Sequence, residues 1–208
     1  MSKTIVGKDK SEEEIAKLAE QAESGDYKIY PILKPANWVG IKAGALKSNL
    51  IGSDEDGDLE VVVGYGYDTP DNFIFLTKRD LEKKDGQEIL KEAFANLENY
   101  ETEFEFCEAL ENKSLASSGT DFASERILSV NHMLKAHKML EAEELLVSIP
   151  RRTCMMVISK DADKRLINAF LYLHKHTWED DSFGNAPIAN MLFVVKEGSI
   201  VGHVPLEE

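Results

Sequence analysis

Apolar residues recur at helical spacing in four segments of the chain. The first begins at Ser11, whose capping-box partner Glu14 lies three residues on, and ends at Gly25. The third begins near Thr120 or Asp121, either of which can cap it. We expect helices in SEEEIAKLAEQAESG, QEILKEAFANLENY, DFASERILSVNHMLKAHKML and DADKRLINAFLYLHKH.

Short apolar or alternating runs predict the strands. Pro31 has no N–H to donate, so its strand is expected at a sheet edge or a bulge. In ETEFEFCEAL, Phe104 and Phe106 fall on one side and Glu103 and Glu105 on the other. The predicted strands are YKIYPILKP, NWVGIKAG, DLEVVVGYGYD, NFIFLT, ETEFEFCEAL, ELLVSIP, TCMMVIS and the two arms of MLFVVKEGSIVGHV.

The order of these elements favours an α+β fold. Strands come mostly in adjacent pairs with helices between the pairs, and regular strand–helix alternation is missing. We therefore expect a mixed, mainly antiparallel sheet with helices packed against it. KSLASSGT is predicted to be a loop. The domain organisation expected is an N-terminal helical extension over 1–25 and a single α+β domain over 26–208.

Acidic residues dominate the charge of the 208-residue chain. Its 38 acidic and 24 basic residues give a formal net charge of −14. That charge repels phosphate backbones and anionic lipid, so we expect no nucleic acid and no membrane partner, whereas a basic protein would be attracted. The longest apolar runs, such as MLFVV, are too short to cross a membrane. Two cysteines, Cys107 and Cys154, form no disulfide framework and fit a reducing cytoplasm.

The acidic loop 54–58, in SDEDGDLE, resembles the start of a calcium-binding loop. Its aspartates stand at the spacing of the first three calcium ligands, but Leu59 replaces the glycine of position 6 and Tyr65 the chelating glutamate of position 12. We expect an exposed turn in which Gly57 supplies the backbone conformation. No cofactor is predicted from this loop or from any other motif.

Two further motifs contain residue types that bind metals or nucleotides. His174 and His176 are metal-ligand types, but residues two apart on a helix point about 200° apart. A core or rim histidine is the simpler reading of His174, and metal binding is the alternative. GYGYDT, from Gly64, lacks the third glycine and the following helix of a dinucleotide loop.

Arg151, Arg152 and Asp121 are the candidate interaction or anion-site residues. A guanidinium group suits carboxylate or phosphate recognition, although both arginines can simply neutralise part of an acidic surface. Asp121 stands at a predicted helix start, where a main-chain N–H group can bind an anion or the aspartate itself. Cys154 follows the arginines, whose charge would favour a thiolate, and a buried small hydrophobic residue is the alternative.

An ordered series of segments resembles the YtpQ-like family of bacterial proteins of unknown function. The segments are IYPILKP, LEVVVGYGYDTPDNFIFLTKRDLEK, ILKEAFANLENY, DFASERIL, ELLVSIPRR with CMMVISKD, and NAPIANMLFVVKEGSI, which together span residues 27 to 203. Family members usually have a longer N-terminal portion, so the chain resembles a truncated form. The resemblance implies a bacterial source and supplies no catalytic residue.

Two functions follow as hypotheses. The first is a non-catalytic acidic protein that binds a basic protein partner, with an antitoxin or immunity role as a special case. The alternative is an enzyme whose site is assembled from sequence-distant residues around Arg151 and Arg152, with Asp121 and a histidine. The residues named for the enzyme are candidates for the position of a site. No residue is predicted to have a catalytic, cofactor-binding or metal-binding role, and the oligomeric state is left open.

Overall fold

The computed structural model is an α+β fold, as predicted. The backbone divides into two compact units: the first ends at Asn96 and the second begins at Leu97. Each contains one sheet, and every strand pair in the described residues is antiparallel. The predicted N-terminal extension lies outside the described residues, and the single domain predicted over 26–208 stays a prediction. The structure describes residues 27–69, 72–118, 121–180, 182 and 186–206.

The first unit is built around one central strand. This strand, β3, pairs with β1 along one side and with β2 and β4 along the other. Among the described strands β1 therefore lies at an edge, which is one of the two positions predicted from the proline within it. NWVGIKAG, predicted as a strand, instead contains the short helix α1, and β2 was not predicted. The elements are β1 Ile29–Pro35, α1 Val39–Lys42, β2 Lys47–Ile51, β3 Val61–Asp68, β4 Phe73–Phe75 and a 3-10 helix at Lys78–Glu82.

The glycines of GYGYD are explained by ring packing on one face of β3. A Cβ atom on Gly64 would lie 3.2 Å from both the Phe75 and Trp38 rings, and one on Gly66 would lie 2.6 Å from the Phe73 ring. The ring centroids of Trp38 and Phe75 are 4.4 Å apart, and those of Phe73 and Phe75 are 4.9 Å apart. The two glycines thus provide room for three aromatic side chains.

The opposite face of β3 packs on the predicted amphipathic helix. Tyr65 is buried, donates a hydrogen bond to Ser48 Oγ at 3.0 Å and meets the Phe94 ring edge-on at 6.4 Å. This helix, α2, spans Gly86–Glu98, and Ile89 and Ala93 are the buried positions of its stripe in the first unit. The helix prediction is confirmed.

The acidic loop 54–58 is an exposed turn. Gly57 has φ +75°, which is the left-handed conformation that glycine favours. The Asp54 carboxylate accepts a hydrogen bond from Lys47 Nζ at 2.6 Å, and Asp58 Oδ1 accepts one from the Ser53 N–H at 2.8 Å. The carboxylates of Asp54 and Asp58 therefore form hydrogen bonds within the loop or with the adjacent strand β2.

The second unit contains a six-stranded sheet in the order β10-β9-β7-β8-β6-β5. The two C-terminal hairpin arms and the pair β7 and β8 were predicted. KSLASSGT was predicted to be a loop and instead forms β6. The strands are β5 Glu105–Phe106, β6 Ser114–Ser118, β7 Glu144–Ser148, β8 Cys154–Ser159, β9 Met191–Lys196 and β10 Ser199–Pro205.

The segment that begins at Asp121 is not the one continuous helix that was predicted. A 3-10 helix at Ser124–Leu128 is followed by α3 at Val130–Leu140. The N-cap of α3 is Ser129, whose Oγ accepts a hydrogen bond from the His132 N–H at 3.2 Å, in place of the predicted cap near Asp121. Ile127 in the 3-10 helix is buried, whereas Val130 and Leu134 in α3 are exposed.

The last helix, α4, spans Lys164–Glu179 and packs on the sheet. Asp163 caps it by accepting a hydrogen bond from the Leu166 N–H at 2.9 Å. Its buried side chains join those of the central strands in one core cluster, which comprises Leu110, Leu146, Ile158, Leu166, Phe170 and Leu192. No helix in the described ranges is both long enough and apolar enough to span a membrane.

The packing on β3 predicts that Gly66→Ala destabilises the first unit. The added Cβ would lie 2.4 Å from the main-chain oxygen of Ile74, which cannot move without disturbing β4. We expect a loss of about 1–3 kcal/mol of unfolding free energy in urea denaturation. Gly202→Ala is the matched control, because that strand glycine faces open space. Equal stability of the two variants would contradict this packing.

Candidate functional site

Arg151 caps a helix in the structure. Its side chain is 5% exposed, and its Nε and Nη2 donate hydrogen bonds to the carbonyl oxygens of Thr177 at 2.7 Å and Trp178 at 2.6 Å. These carbonyls lie in the last turn of α4, where main-chain acceptors have no partner within the helix and a cation is favoured. The guanidinium group thereby fastens the loop after β7 to the C-terminus of α4.

Arg152 and Asp121 have different surroundings. Arg152 is half-buried and its main-chain N–H donates to the Ala186 oxygen at 3.0 Å. Its Nε is buried without a hydrogen-bond partner in the described part of the chain. Asp121 lies in an exposed turn. The anion site, and the enzyme site, predicted around Arg151, Arg152 and Asp121 stay predictions.

Burial is the main influence on the protonation of Cys154 and His174. Both cysteines are free, and burial raises the pKa of the Cys154 thiol despite the opposing charge of Arg151. His174 is fully buried, with Nδ1 2.8 Å from Ser148 Oγ and Nε2 3.3 Å from Asn190 Oδ1. Because an amide oxygen only accepts, Nε2 donates and Nδ1 accepts from the serine. Burial lowers the pKa of His174, which fits a neutral core histidine.

No group of three or more His, Cys, Asp or Glu side chains in the described residues is placed to hold a metal ion. Both ring nitrogens of His174 form hydrogen bonds with protein side chains, those of Ser148 and Asn190. His176 lies with its ring 6.4 Å from that of Tyr172.

Three unpaired carboxylates line an acidic cleft at the β5 edge of the second sheet. Its volume is about 660 Å³, and its carboxylates all come from the segment that leads into β5. These carboxylates are exposed, and none forms an ion pair or side-chain hydrogen bond with another described residue. The residues that define this cleft are Glu101, Glu103, Glu105, Ser117, Ser118 and Lys135.

The alternation of glutamate with other residues in the sequence is the signal for this cleft, although it predicts a strand rather than a cleft. The alternation in ETEFEFCEAL predicts a strand with Phe104 and Phe106 on one side and the glutamates on the other. Phe104 is indeed buried, but Phe106 is 47% exposed and β5 comprises only two residues. The structure therefore corrects that prediction: most of the alternating segment lies outside the sheet ladder.

A buried arginine fixes this segment to the second unit. Arg126 is 1% exposed, and its guanidinium donates to the carbonyl oxygens of Leu97, at 2.7 Å, and Tyr100. Its Nε donates to Thr102 Oγ1 at 2.8 Å, and its Cζ lies 5.0 Å from the centre of the Tyr100 ring. These bonds hold the main chain on both sides of Glu101.

His132 supports the same segment from α3. Its ring stacks on that of Phe104 at a centroid distance of 4.1 Å, and its Nε2 is buried without a partner in the described part of the chain. Burial, followed by the charges of Arg126 and Lys135, lowers the pKa of His132 to about 3. The imidazole is therefore neutral at ordinary pH.

No family model, no curated protein and no solved structure matches this chain in comparisons with known proteins.

Arg126→Met is expected to destabilise the second unit by about 2–5 kcal/mol. The substitution keeps an apolar stem but leaves the carbonyl oxygens of Leu97, which is buried, and Tyr100, which is partly buried, without their charged donor. Chemical denaturation followed by tryptophan fluorescence and circular dichroism measures the loss. Arg165→Met is the control, since Arg165 is 68% exposed and forms a surface ion pair with Glu111. The anchoring role is contradicted if the two variants unfold at the same denaturant concentration.

His132 predicts a loss of stability in acid. The unfolded chain binds a proton near pH 6.5, whereas the folded chain binds it only near pH 3, so stability falls as pH drops through this window. His132→Phe keeps a flat ring against Phe104 and removes the proton site. Between about pH 7 and pH 4.5 the wild type should lose on the order of 2 kcal/mol more than the variant. Parallel stability curves for the two proteins would contradict the prediction.

Proposed function

We propose that this protein binds a basic protein partner through the acidic cleft and acts there as a binding protein, without catalysis. The observation that carries the proposal is that Glu101, Glu103 and Glu105 are exposed and unpaired on one anchored segment. Carboxylates in such a cleft attract cations at long range, and the formal net charge of −14 strengthens that attraction.

Part of the remaining acidic surface is already neutralised by neighbouring cations. Several of the other exposed carboxylates already have cations beside them. Glu144 pairs with Lys160 and Lys196, and Glu111 pairs with Arg165. An incoming basic partner would have to displace these cations, whereas Lys135, the only cation among the described residues that line the cleft, forms no ion pair with another of them.

An antitoxin or immunity role is a narrower form of the same proposal, since such proteins can neutralise basic toxins. The resemblance to the YtpQ-like family stays a prediction and adds no residue to the site. The enzymatic alternative around Arg151 has less support, because the guanidinium donates to the C-terminal carbonyls of α4.

The proposal predicts that Glu101→Gln/Glu103→Gln/Glu105→Gln weakens binding of a labelled oligolysine peptide. Loss of several exposed ion pairs should reduce affinity about three- to hundredfold, measured by fluorescence anisotropy at low ionic strength. Added salt should weaken the wild-type complex as well.

The matched control is Glu55→Gln/Asp56→Asn/Glu60→Gln. These side chains are exposed, unpaired with other described residues and outside the cleft, and their replacement removes the same formal charge. We expect this variant to keep most of the wild-type affinity. If it loses as much affinity as the cleft variant, binding reflects overall charge and the proposed site is wrong.

A further inference from the structure

The carboxylates of the acidic cleft recur at every second residue. Glu101, Glu103 and Glu105 are exposed, whereas Thr102 between them is half-buried and Phe104 is buried. This alternation is that of an extended chain, in which residues i and i+2 lie on one side about 7 Å apart. The segment thus displays its negative charges in a row with the repeat distance of a strand.

The cleft begins where β5 ends. β5 pairs with β6 only at Glu105–Ala116 and Phe106–Leu115, whereas β6 continues to Ser118 against β8. Beyond Ala116, no strand in the described residues pairs with the β5 side of β6. An open sheet edge is where an extended peptide can lie alongside a protein.

Ser117 gives an independent indication of a polar ligand. It lines the cleft, is 3% exposed, and its Oγ has no hydrogen-bond partner in the described part of the chain. Ala116, the preceding residue, lies on the opposite face of β6. Both residues can line the cleft because the cleft is at the edge of the sheet. A hydroxyl group buried without a partner is unfavourable, and a ligand donor would remove that cost.

We infer that the cleft takes an extended peptide segment with a basic side chain at every second residue. This inference rests on the proposed function and makes it more specific. The basic side chains lie opposite Glu101, Glu103 and Glu105, and the peptide runs along the β6 overhang at Ser117 and Ser118. The spacing of the charges, rather than their number, then selects the partner.

The test compares two capped peptides of identical composition and charge, Lys-Ser-Lys-Ser-Lys and Ser-Lys-Lys-Lys-Ser. In an extended chain the first places all its ammonium groups on one side, and the second divides them between two sides. Competition against a labelled oligolysine on the full-length protein should show the alternating peptide binding about two- to fivefold tighter. Spermidine, a flexible cation of similar charge, should compete more weakly than the alternating peptide.

Equal affinity of the two peptides, or equal competition by spermidine, would overturn the inference. The proposed function would still stand in that case if Glu101→Gln/Glu103→Gln/Glu105→Gln weakened all the ligands. If none of the ligands responds to that variant, the proposed function itself is wrong.

A second variant tests the β6 overhang. Ser117→Ala should weaken the alternating peptide about two- to fivefold without lowering the urea midpoint of the free protein, because it removes a buried hydroxyl that has no partner in the described residues. A merely structural serine would change stability and leave the affinity alone. Unchanged affinity of Ser117→Ala would overturn the placement of the peptide along β6.

Discussion

The buried guanidinium group of Arg126 is the constraint on which the acidic cleft depends. It donates to Leu97 O, Tyr100 O and Thr102 Oγ1, so a single side chain fixes a main-chain segment that has no sheet partner of its own. Without these bonds the carbonyl oxygens of Leu97 and Tyr100 would lose a charged donor. The direction in which Glu101 and Glu103 project therefore depends on Arg126, which lies more than twenty positions further along the chain.

Arginine suits this position because its donors diverge in a rigid plane. Three acceptors that face one planar group can all be satisfied at once, and the group stays charged even when it is 1% exposed. That buried charge also acts on its surroundings, since it disfavours protonation of the nearby His132. The histidine then stays neutral and packs flat against Phe104, which keeps the middle of the acidic segment pointing inward.

The spacing of apolar residues predicted those helices and strands whose buried face matches that spacing. The helices Gly86–Glu98 and Lys164–Glu179 and the strands on either side of Arg151 were found because one face of each is consistently apolar or because the run is short and apolar. β6 was missed because serine-rich segments are typical of loops, yet β6 pairs with β8 over its whole length and Ser114 and Ser117 are buried.

The site was predicted less well than the fold, for a physical reason. The role of Arg151 depends on carbonyl oxygens of a helix that begins more than ten residues later, and a single sequence does not contain that proximity. The glutamates were visible as an alternating row, but their exposure depends on where β5 stops pairing. A long strand would have placed the same carboxylates along an ordinary solvated sheet face.

The arrangement of the cleft has a consequence for affinity. Its main chain is fixed before any ligand arrives, which reduces the ordering that binding would otherwise require. The glutamate side chains themselves are exposed, so each ion pair with a partner would be weak and screened by salt. Under the proposed function, carboxylates held at regular intervals on an anchored main chain would favour discrimination between partners by charge spacing over high affinity for any single cation.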